Sequence, residues 1–305
     1  MSFVVGIVGL PNVGKSTLFK ALTKKQVDIA PRPFTTINPN IGIVEVPDQR
    51  LEKIAEIVGP EKVIPAFIKF IDIAGLIKGA HKGEGLGNQF LAEIRNCDII
   101  LEVVRAFENI EAENVSGKID PQNDIETIKT ELELKDLEIK ERKKPPVKNE
   151  EEEEDLLAQK PVIYLLNTDN KADYVPPKTE YLALNLKEEM EITELSEAEK
   201  KELGLNSKLD HIVNACYNIL DLITFFTIVG QKETRAWALK KGLKAPEAGK
   251  IVHTDFKEKF IRAEVINWQK LIELKDWKQA KEKGEIKTVG KDYVVQDGDI
   301  VEFKI

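Results

Sequence analysis

Lysine, serine and glycine at one fixed spacing carry the most chemistry in this chain. Gly9-Leu10-Pro11-Asn12-Val13-Gly14-Lys15-Ser16-Thr17 fits the pattern G-x-x-x-x-G-K-S. Two glycines let a backbone curl until successive N–H groups point inward, which suits the oxygens of a phosphate chain, and a helix start behind them adds partial positive charge. Lys15 is then placed to reach the β- and γ-phosphates, and the Ser16 hydroxyl to ligate Mg²⁺. A second group of candidates reads the terminal phosphate. Thr36, in a proline-rich loop, is expected to reach Mg²⁺ and the γ-phosphate. Asp72 is expected to make a water-bridged Mg²⁺ contact, and the Gly75 N–H to sense the γ-phosphate. Leu76 stands where common P-loop hydrolases place a glutamine that orients the attacking water, and leucine has no group for that task.

A third group faces the base. Asn167-Thr168-Asp169-Asn170 occupies the place of the N-K-x-D pattern of guanine-specific proteins, whose last carboxylate accepts two protons from guanine. Asn170 offers one donor and one acceptor, which matches the adenine edge better. Because unpaired buried groups are penalised, ATP is expected ahead of GTP.

The elements that must hold these groups are legible around them. The apolar run at 3–8 predicts a buried strand, and Leu18 and Leu22 continue behind the loop at helical spacing. Residues 31–40, with three prolines, predict a loop. Strands are expected at 41–46, 67–71, 98–104 and 162–166, with helices around 51–58 and over 120–142. From Gly75 to Asn88 five glycines fall in fourteen residues, a pliable stretch suited to ordering on γ-phosphate contact. Residues 150–155 are six consecutive acids, which predicts an extended connector. From 223 onward the texture shifts to short strands around one helix, with strands at 224–229, 235–239 and 260–268. Asp297-Gly298 gives a hairpin-type turn signal near the end.

Composition narrows the classes. With 42% hydrophobic residues and 305 in all, the chain supports one large and one small domain. A net charge of −8 argues against blanket electrostatic capture of nucleic acid, while leaving room for a local basic face. Cys97 and Cys216 read as reduced core thiols. No apolar run approaches the length of a membrane span, and Met1-Ser2 runs straight into the first strand. A cytoplasmic protein without membrane contact is expected.

The sequence resembles the YchF/Obg-like ATPase family, a branch of the Obg-related P-loop proteins. Besides the phosphate loop, the resemblance rests on Pro33-Phe34-Thr35-Thr36 and the run from Asp72 to Asn88. Toward the end it rests on Arg235-Ala236-Trp237, His253-Thr254-Asp255-Phe256 and the stretch from Gly290 to Gly298. It implies an α/β fold with a Ras-like P-loop NTPase domain and a mostly parallel sheet, at 1–222, and a small C-terminal TGS domain of β-grasp fold at 223–305. It further implies Mg²⁺-dependent hydrolysis of ATP, sometimes GTP, and association with the ribosome or ribosomal RNA. Carried over by position, Asn12, Val13, Gly14, Lys15, Ser16 and Thr17 would hold the phosphates. Ser16 and Thr36 would hold the metal, Asp72 its outer shell, and Asn167 with Thr168 the base.

Three departures stand out. Asn170 replaces the glutamate usual in the family's N-x-x-E. The helical arm, an insertion at about 111–160, is reduced to a Lys-Pro-Pro and acidic segment. Asn114 replaces a histidine proposed to assist hydrolysis, which leaves His81 as a candidate to place the water.

Three functions remain open at this point: a slow ATPase, a GTP-driven switch and a nucleotide-gated binding module with incidental hydrolysis. Lys232, Arg235, Lys240, Lys241 and Lys244 form either an ordinary solvated face or one that meets RNA.

Overall fold

The computed structural model describes residues 3–24, 40–73, 87–108, 119–142, 156–169 and 173–305. In chain order they form β1 (Phe3–Val8), α1 (Lys15–Lys24), β2 (Ile41–Glu45), α2 (Gln49–Val58), β3 (Lys62–Ile64), β4 (Phe67–Asp72), α3 (Gly87–Arg95) and β5 (Ile99–Ala106). There follow α4 (Pro121–Arg142), β6 (Val162–Thr168), β7 (Tyr181–Leu184), α5 (Leu186–Glu194), α6 (Glu197–Leu203) and α7 (Leu209–Ile219). The C-terminal part adds β8 (Leu222–Val229), β9 (Glu233–Lys240), α8 (Ala245–Val252), α9 (Thr254–Glu258), β10 (Arg262–Asn267), α10 (Trp268–Leu274), α11 (Trp277–Glu282), β11 (Lys287–Val289) and β12 (Asp299–Lys304). No helix among the described residues is long and apolar enough to cross a membrane.

Contacts divide the described residues into two compact units, and a segment from the N-terminal half joins the C-terminal one. One unit takes Phe3–Val44 and Lys69–Ile212, and the other Glu45–Ile68 with Val213–Ile305. The reason is local. β3 pairs in parallel with β9, Lys62 opposite Glu233, so the segment between β2 and β4 completes the C-terminal sheet. The Arg50 guanidinium of α2 lies over the Phe226 ring of β8, 5.5 Å from its centroid.

The N-terminal unit is built on a sheet of order β2-β4-β1-β5-β6-β7. β1, β5, β6 and β7 run parallel in an unbroken register. β5 is buried along nearly its whole length, as a parallel strand covered on both faces must be. On one face Leu91 and Ile94 of α3 and Ile128 and Leu132 of α4 pack with Ile100 and Leu157. After β1 the strand order reverses, which puts a crevice at the carboxyl ends of β1 and β5, the place where open α/β sheets bind ligands. The chain that leaves α4 returns at a short 3-10 turn, Leu157–Gln159. Buried Asp136 joins the two, accepting from the Leu157 and Ala158 N–H groups at 3.0 and 2.9 Å.

The C-terminal unit has the sheet order β11-β10-β12-β8-β9-β3. A β8–β9 hairpin, a parallel β8–β12 pair and an antiparallel β12–β10 pair give the β-grasp arrangement, with α8 on one face. The Asp297-Gly298 signal has a different meaning from the hairpin expected. β12 pairs with β10 and β8, and β11 pairs with β10, so this turn joins no two paired strands. Instead Asp297 accepts from the Thr224 N–H at 2.9 Å and from Arg50 Nη1 at 2.6 Å. Gly298 has φ +86°, and a Cβ there would stand 2.4 Å from Cδ1 of Trp268. Glycine is required by a close approach as well as by the turn. Both cysteines are free and buried; burial pushes Cys97 up to about 11 and Cys216 up to about 12.

Among the buried carboxyl groups, Glu102 differs from Asp136 and Glu189, which accept hydrogen bonds. Glu102 of β5 is 3% exposed, and its Oε1 is buried without a hydrogen-bond partner among the described residues. Burial, with the Asp124 charge adding to it, holds this carboxyl well above the usual range. Asp124 is itself raised to about 6, by burial and then by Asp120. A carboxyl whose folded pKa is raised binds its proton more tightly in the native state. The Glu102 contribution to native stability is therefore fully present below the unfolded pKa of about 4.3 and is lost as pH rises toward the folded value, at up to about 1.4 kcal/mol per pH unit. Glu102→Gln should flatten that decline. In urea titrations at pH 5 and pH 8, the variant should gain on the native chain at pH 8; an identical pH slope for both would contradict the assignment.

Candidate functional site

The phosphate loop is shaped by contacts that exclude side chains at two points. Gly9 has φ +153° and Gly14 φ +107°, with Asn12 between them at φ +62°. A Cβ on Gly9 would lie 2.4 Å from the Val103 carbonyl oxygen of β5, and one on Gly14 2.5 Å from Nδ2 of Asn167. The loop thus rests against β5 and β6 as closely as backbone permits. α1 begins at once behind it, with the Leu18 N–H donating to the Gly14 carbonyl at 3.0 Å.

Lys15 is 8% exposed, and its Nζ donates to the Leu10 carbonyl at 2.8 Å. Burial draws its pKa down, and the charge of Asp72 pushes it back up. An ammonium in so dry a place pulls on an incoming anion far more strongly than one in water. Beside it, the Ser16 hydroxyl donates to Asp72 Oδ2 at 3.0 Å, which brings the first turn of α1 to the end of β4. Two hard oxygen donors at the loop mouth suit Mg²⁺, which binds through one or two protein oxygens and fills its octahedron with water and phosphate. Among the described residues no group of three or more His, Cys, Asp or Glu that could hold a metal occurs.

A cavity of about 1070 Å³ opens from the loop, lined by Asn12, Gly14, Lys15, Ser16 and Thr17 at one end. Its other end is lined by Phe107, Asn167, Thr168, Asp169, Asn185, Lys187 and Met190, with Glu108 and Glu191. This brings Asn12, Gly14, Lys15, Ser16, Thr17, Asn167 and Thr168 of the sequence expectation into one crevice. Val13 is buried beneath it. Thr36, Gly75, Leu76, His81, Asn114 and Asn170 lie outside the described residues.

Asn167 connects the two ends. Its Nδ2 donates to the Val13 carbonyl at 3.0 Å, and its Oδ1 accepts from the Leu186 N–H at 3.1 Å. The side chain expected to face the base is thus also the strut between the phosphate loop, β6 and the start of α5. Asp169 Oδ2 accepts from the Glu108 N–H at 3.3 Å. Arg105 holds the adjoining turn, its Nε donating to the Phe107 carbonyl at 3.0 Å and its guanidinium 5.1 Å from the Phe107 ring centroid.

Residues 185–191 were missed from sequence. The signal for them was present: Asn185 caps α5 by accepting from the Lys187 and Glu188 N–H groups, and Glu188 and Glu189 sit in the first turn. Nothing in one sequence says that this helix start lines the cavity, because β7 must first pair with β6.

Comparison with known proteins agrees with this geometry. Residues 4–168 match the MMR_HSR1 family model, described as "50S ribosome-binding GTPase". Residues 222–305 match the YchF-GTPase_C model, described as "Protein of unknown function (DUF933)". The chain is 42% identical to "Ribosome-binding ATPase YchF" of Bacillus subtilis, covering 100% of this chain and 99% of that one. It is 41% identical to the protein of the same description from Escherichia coli O157:H7, with 99% of each chain covered. The solved "Structure of the Schizosaccharomyces pombe YchF GTPase" superposes with a TM-score of 0.82 at 34% identity, over 99% of this chain and 98% of that one. The Bacillus alignment runs over 364 positions against 305 residues here, so that relative carries segments this chain lacks.

The Asn167 strut gives a test. Asn167→Asp turns a donor that faces the Val13 carbonyl into an acceptor, in a buried place. The variant should lose about 3 kcal/mol of stability, with nucleotide affinity falling at least about tenfold. Thermal unfolding and titration with a fluorescent nucleotide would read both; native-like values in both would refute the strut.

Proposed function

We propose, for a chain that belongs to the YchF family of P-loop NTPases, a slow Mg²⁺-dependent hydrolase of ATP that works as a nucleotide-gated, ribosome-associated regulator in the cytoplasm. The observation that carries the hydrolase reading is Lys15, buried at the mouth of a cradle whose only occupant for its ammonium, among the described residues, is a backbone carbonyl. A triphosphate offers that ammonium a full charge in place of a dipole, so the Leu10 contact is the resting partner that phosphate replaces.

The work of the chain's own residues follows. The N–H groups of Asn12 to Thr17 hold the phosphates and fix their orientation. Lys15 turns from the Leu10 carbonyl to the β- and γ-phosphate oxygens. Ser16 and Thr36 would hold the Mg²⁺, with Asp72, the hydrogen-bond partner of Ser16, in its outer shell. Mg²⁺, when bound, supplies neutralisation of the charge on the β- and γ-phosphates. The Gly75 N–H reads the γ-phosphate. Leu76 cannot orient the attacking water, and we assign that task to His81. Slow turnover follows from the missing glutamine.

The base reading rests on Asn170, whose amide matches adenine. Asp169, the neighbouring carboxylate, is engaged with the Glu108 N–H and so is drawn away from service to guanine. Ribosome association is supported by the descriptions of the relatives and the matched family model. The combination Leu76 with Asn114 also favours a second reading, a binding module in which hydrolysis is incidental.

Titration with ATP and GTP, followed by single-turnover rates with and without ribosomes, decides among these. Tighter binding of ATP is expected, with a slow intrinsic rate that Lys15→Ala and His81→Ala both lower. A large preference for GTP would replace the base assignment, and turnover unchanged in His81→Ala would remove the histidine. Ribosomes that alter nucleotide affinity without altering a negligible rate would favour the binding module.

A further inference from the structure

The C-terminal unit contains a built feature that nucleotide hydrolysis does not use. Across the β8–β9 ladder Phe225 pairs in register with Trp237, and their rings stack with centroids 6.5 Å apart and 15° between planes. Trp237 Nε1 donates to Thr227 Oγ1 at 2.9 Å, which fixes the indole. The Arg235 guanidinium lies over that indole, 3.9 Å from the ring centroid.

Arg235 is unusual in what it lacks. Its Nε is buried with no hydrogen-bond partner, and no hydrogen bond or ion pair ties its guanidinium to any described residue. Arg50 in the same unit shows the ordinary solution. Its guanidinium is held by Asp48 and Asp297 at 2.7 and 2.6 Å, which pushes its pKa upward. For Arg235, burial draws the pKa down, with only the charge of Glu233 opposing. Removing guanidinium N–H groups from water without partners destabilises a fold, and cation–π attraction returns only part of the loss.

The surroundings indicate the partner. Lys62 of β3 lies across the ladder from Glu233, and its N–H donates to the Lys232 carbonyl at 3.1 Å. Lys62 and Lys232 are exposed. Three cations, Lys62, Lys232 and Arg235, therefore gather at this edge with two acids, Glu61 and Glu233, a local excess of positive charge on a chain whose net charge is −8. The guanidinium covers one face of the indole, so what it presents is a planar fork of donors matched to two oxygens of one anion.

We propose that Arg235, held flat on Trp237, receives a backbone phosphate of ribosomal RNA. This rests on the ribosome association proposed above and names the contact by which the C-terminal unit makes it. Arg235 would act by charge and shape and carry no base specificity, as phosphate contacts position without reading sequence. An arginine kept without an internal partner lowers stability in order to meet an external one.

The test uses the full chain, loaded with a non-hydrolysable triphosphate, and binding to purified ribosomes over a range of salt. Arg235→Met keeps the stem over the indole and removes the charge. It should bind about tenfold more weakly, with a salt slope smaller by about 0.7. Its turnover should be unchanged and its unfolding temperature the same or higher. Arg235→Lys, which keeps charge without the fork, should fall between. Single-stranded RNA should compete for the contact where polyglutamate does not. Native affinity in Arg235→Met would overturn the inference while leaving the ribosome reading intact. Equal loss in both variants, together with lower unfolding temperatures, would make Arg235 structural and overturn it as well. Competition by polyglutamate alone would move the site to an acidic protein surface. If the unaltered chain fails to bind ribosomes, the association reading falls and this contact falls with it.

Discussion

The amide of Asn167 holds the N-terminal unit's site together. It uses both ends at once, donating to the Val13 carbonyl in the phosphate loop and accepting from the Leu186 N–H at the head of α5. Because the group is buried, neither bond competes with water, and loss of either would leave a backbone group unpaired. Gly14 must lack a side chain for the contact to form, since a Cβ would overlap Nδ2. The spacing of the loop and the motif at the end of β6 are two halves of one constraint. Ser16 with Asp72 makes a second, exposed tie between the first turn of α1 and the end of β4.

The two units show how differently one chain treats buried polar groups. Asp136, Asn167 and the Arg50 cluster are fully engaged, each joining segments distant in sequence. Glu102 and Arg235 retain atoms with no hydrogen-bond partner among the described residues. The first pattern stabilises an arrangement, and the second gives stability away. For Arg235 the exposed rim and the neighbouring lysines supply a reason. For Glu102, facing Asp124 across the packing of α4 on β5, the consequence on the page is thermodynamic, a stability that depends on pH.

Much of the site could be read without coordinates, and what could not be read has a common cause. Lys15, Ser16 and the loop glycines were legible because their chemistry depends on residues adjacent in sequence. Asp72 and Asn167 were legible as strand-end residues, although the amide's role as a strut was not. Phe107 and the stretch from Asn185 to Glu191 were missed, since their place at the cavity depends on β5, β6 and β7 lying side by side. Asp297-Gly298 carried a true turn signal, but tertiary contacts with Arg50, Thr224 and Trp268 gave it another meaning.

The sequence by itself determined the phosphate chemistry, the alternation of strands and helices, and the change of texture after residue 222. Each follows from local geometry: loop spacing, periodicity of 2 or 3.6, and turn residues at short range. Only the tertiary structure decided that residues 45–68 belong with the C-terminal sheet, that Lys15 is dry, and that Arg235 lies on Trp237 with no hydrogen-bond partner among the described residues. Those facts depend on which strand finds which neighbour and on how much water the resulting packing removes. Neither quantity is a property of residues close in sequence.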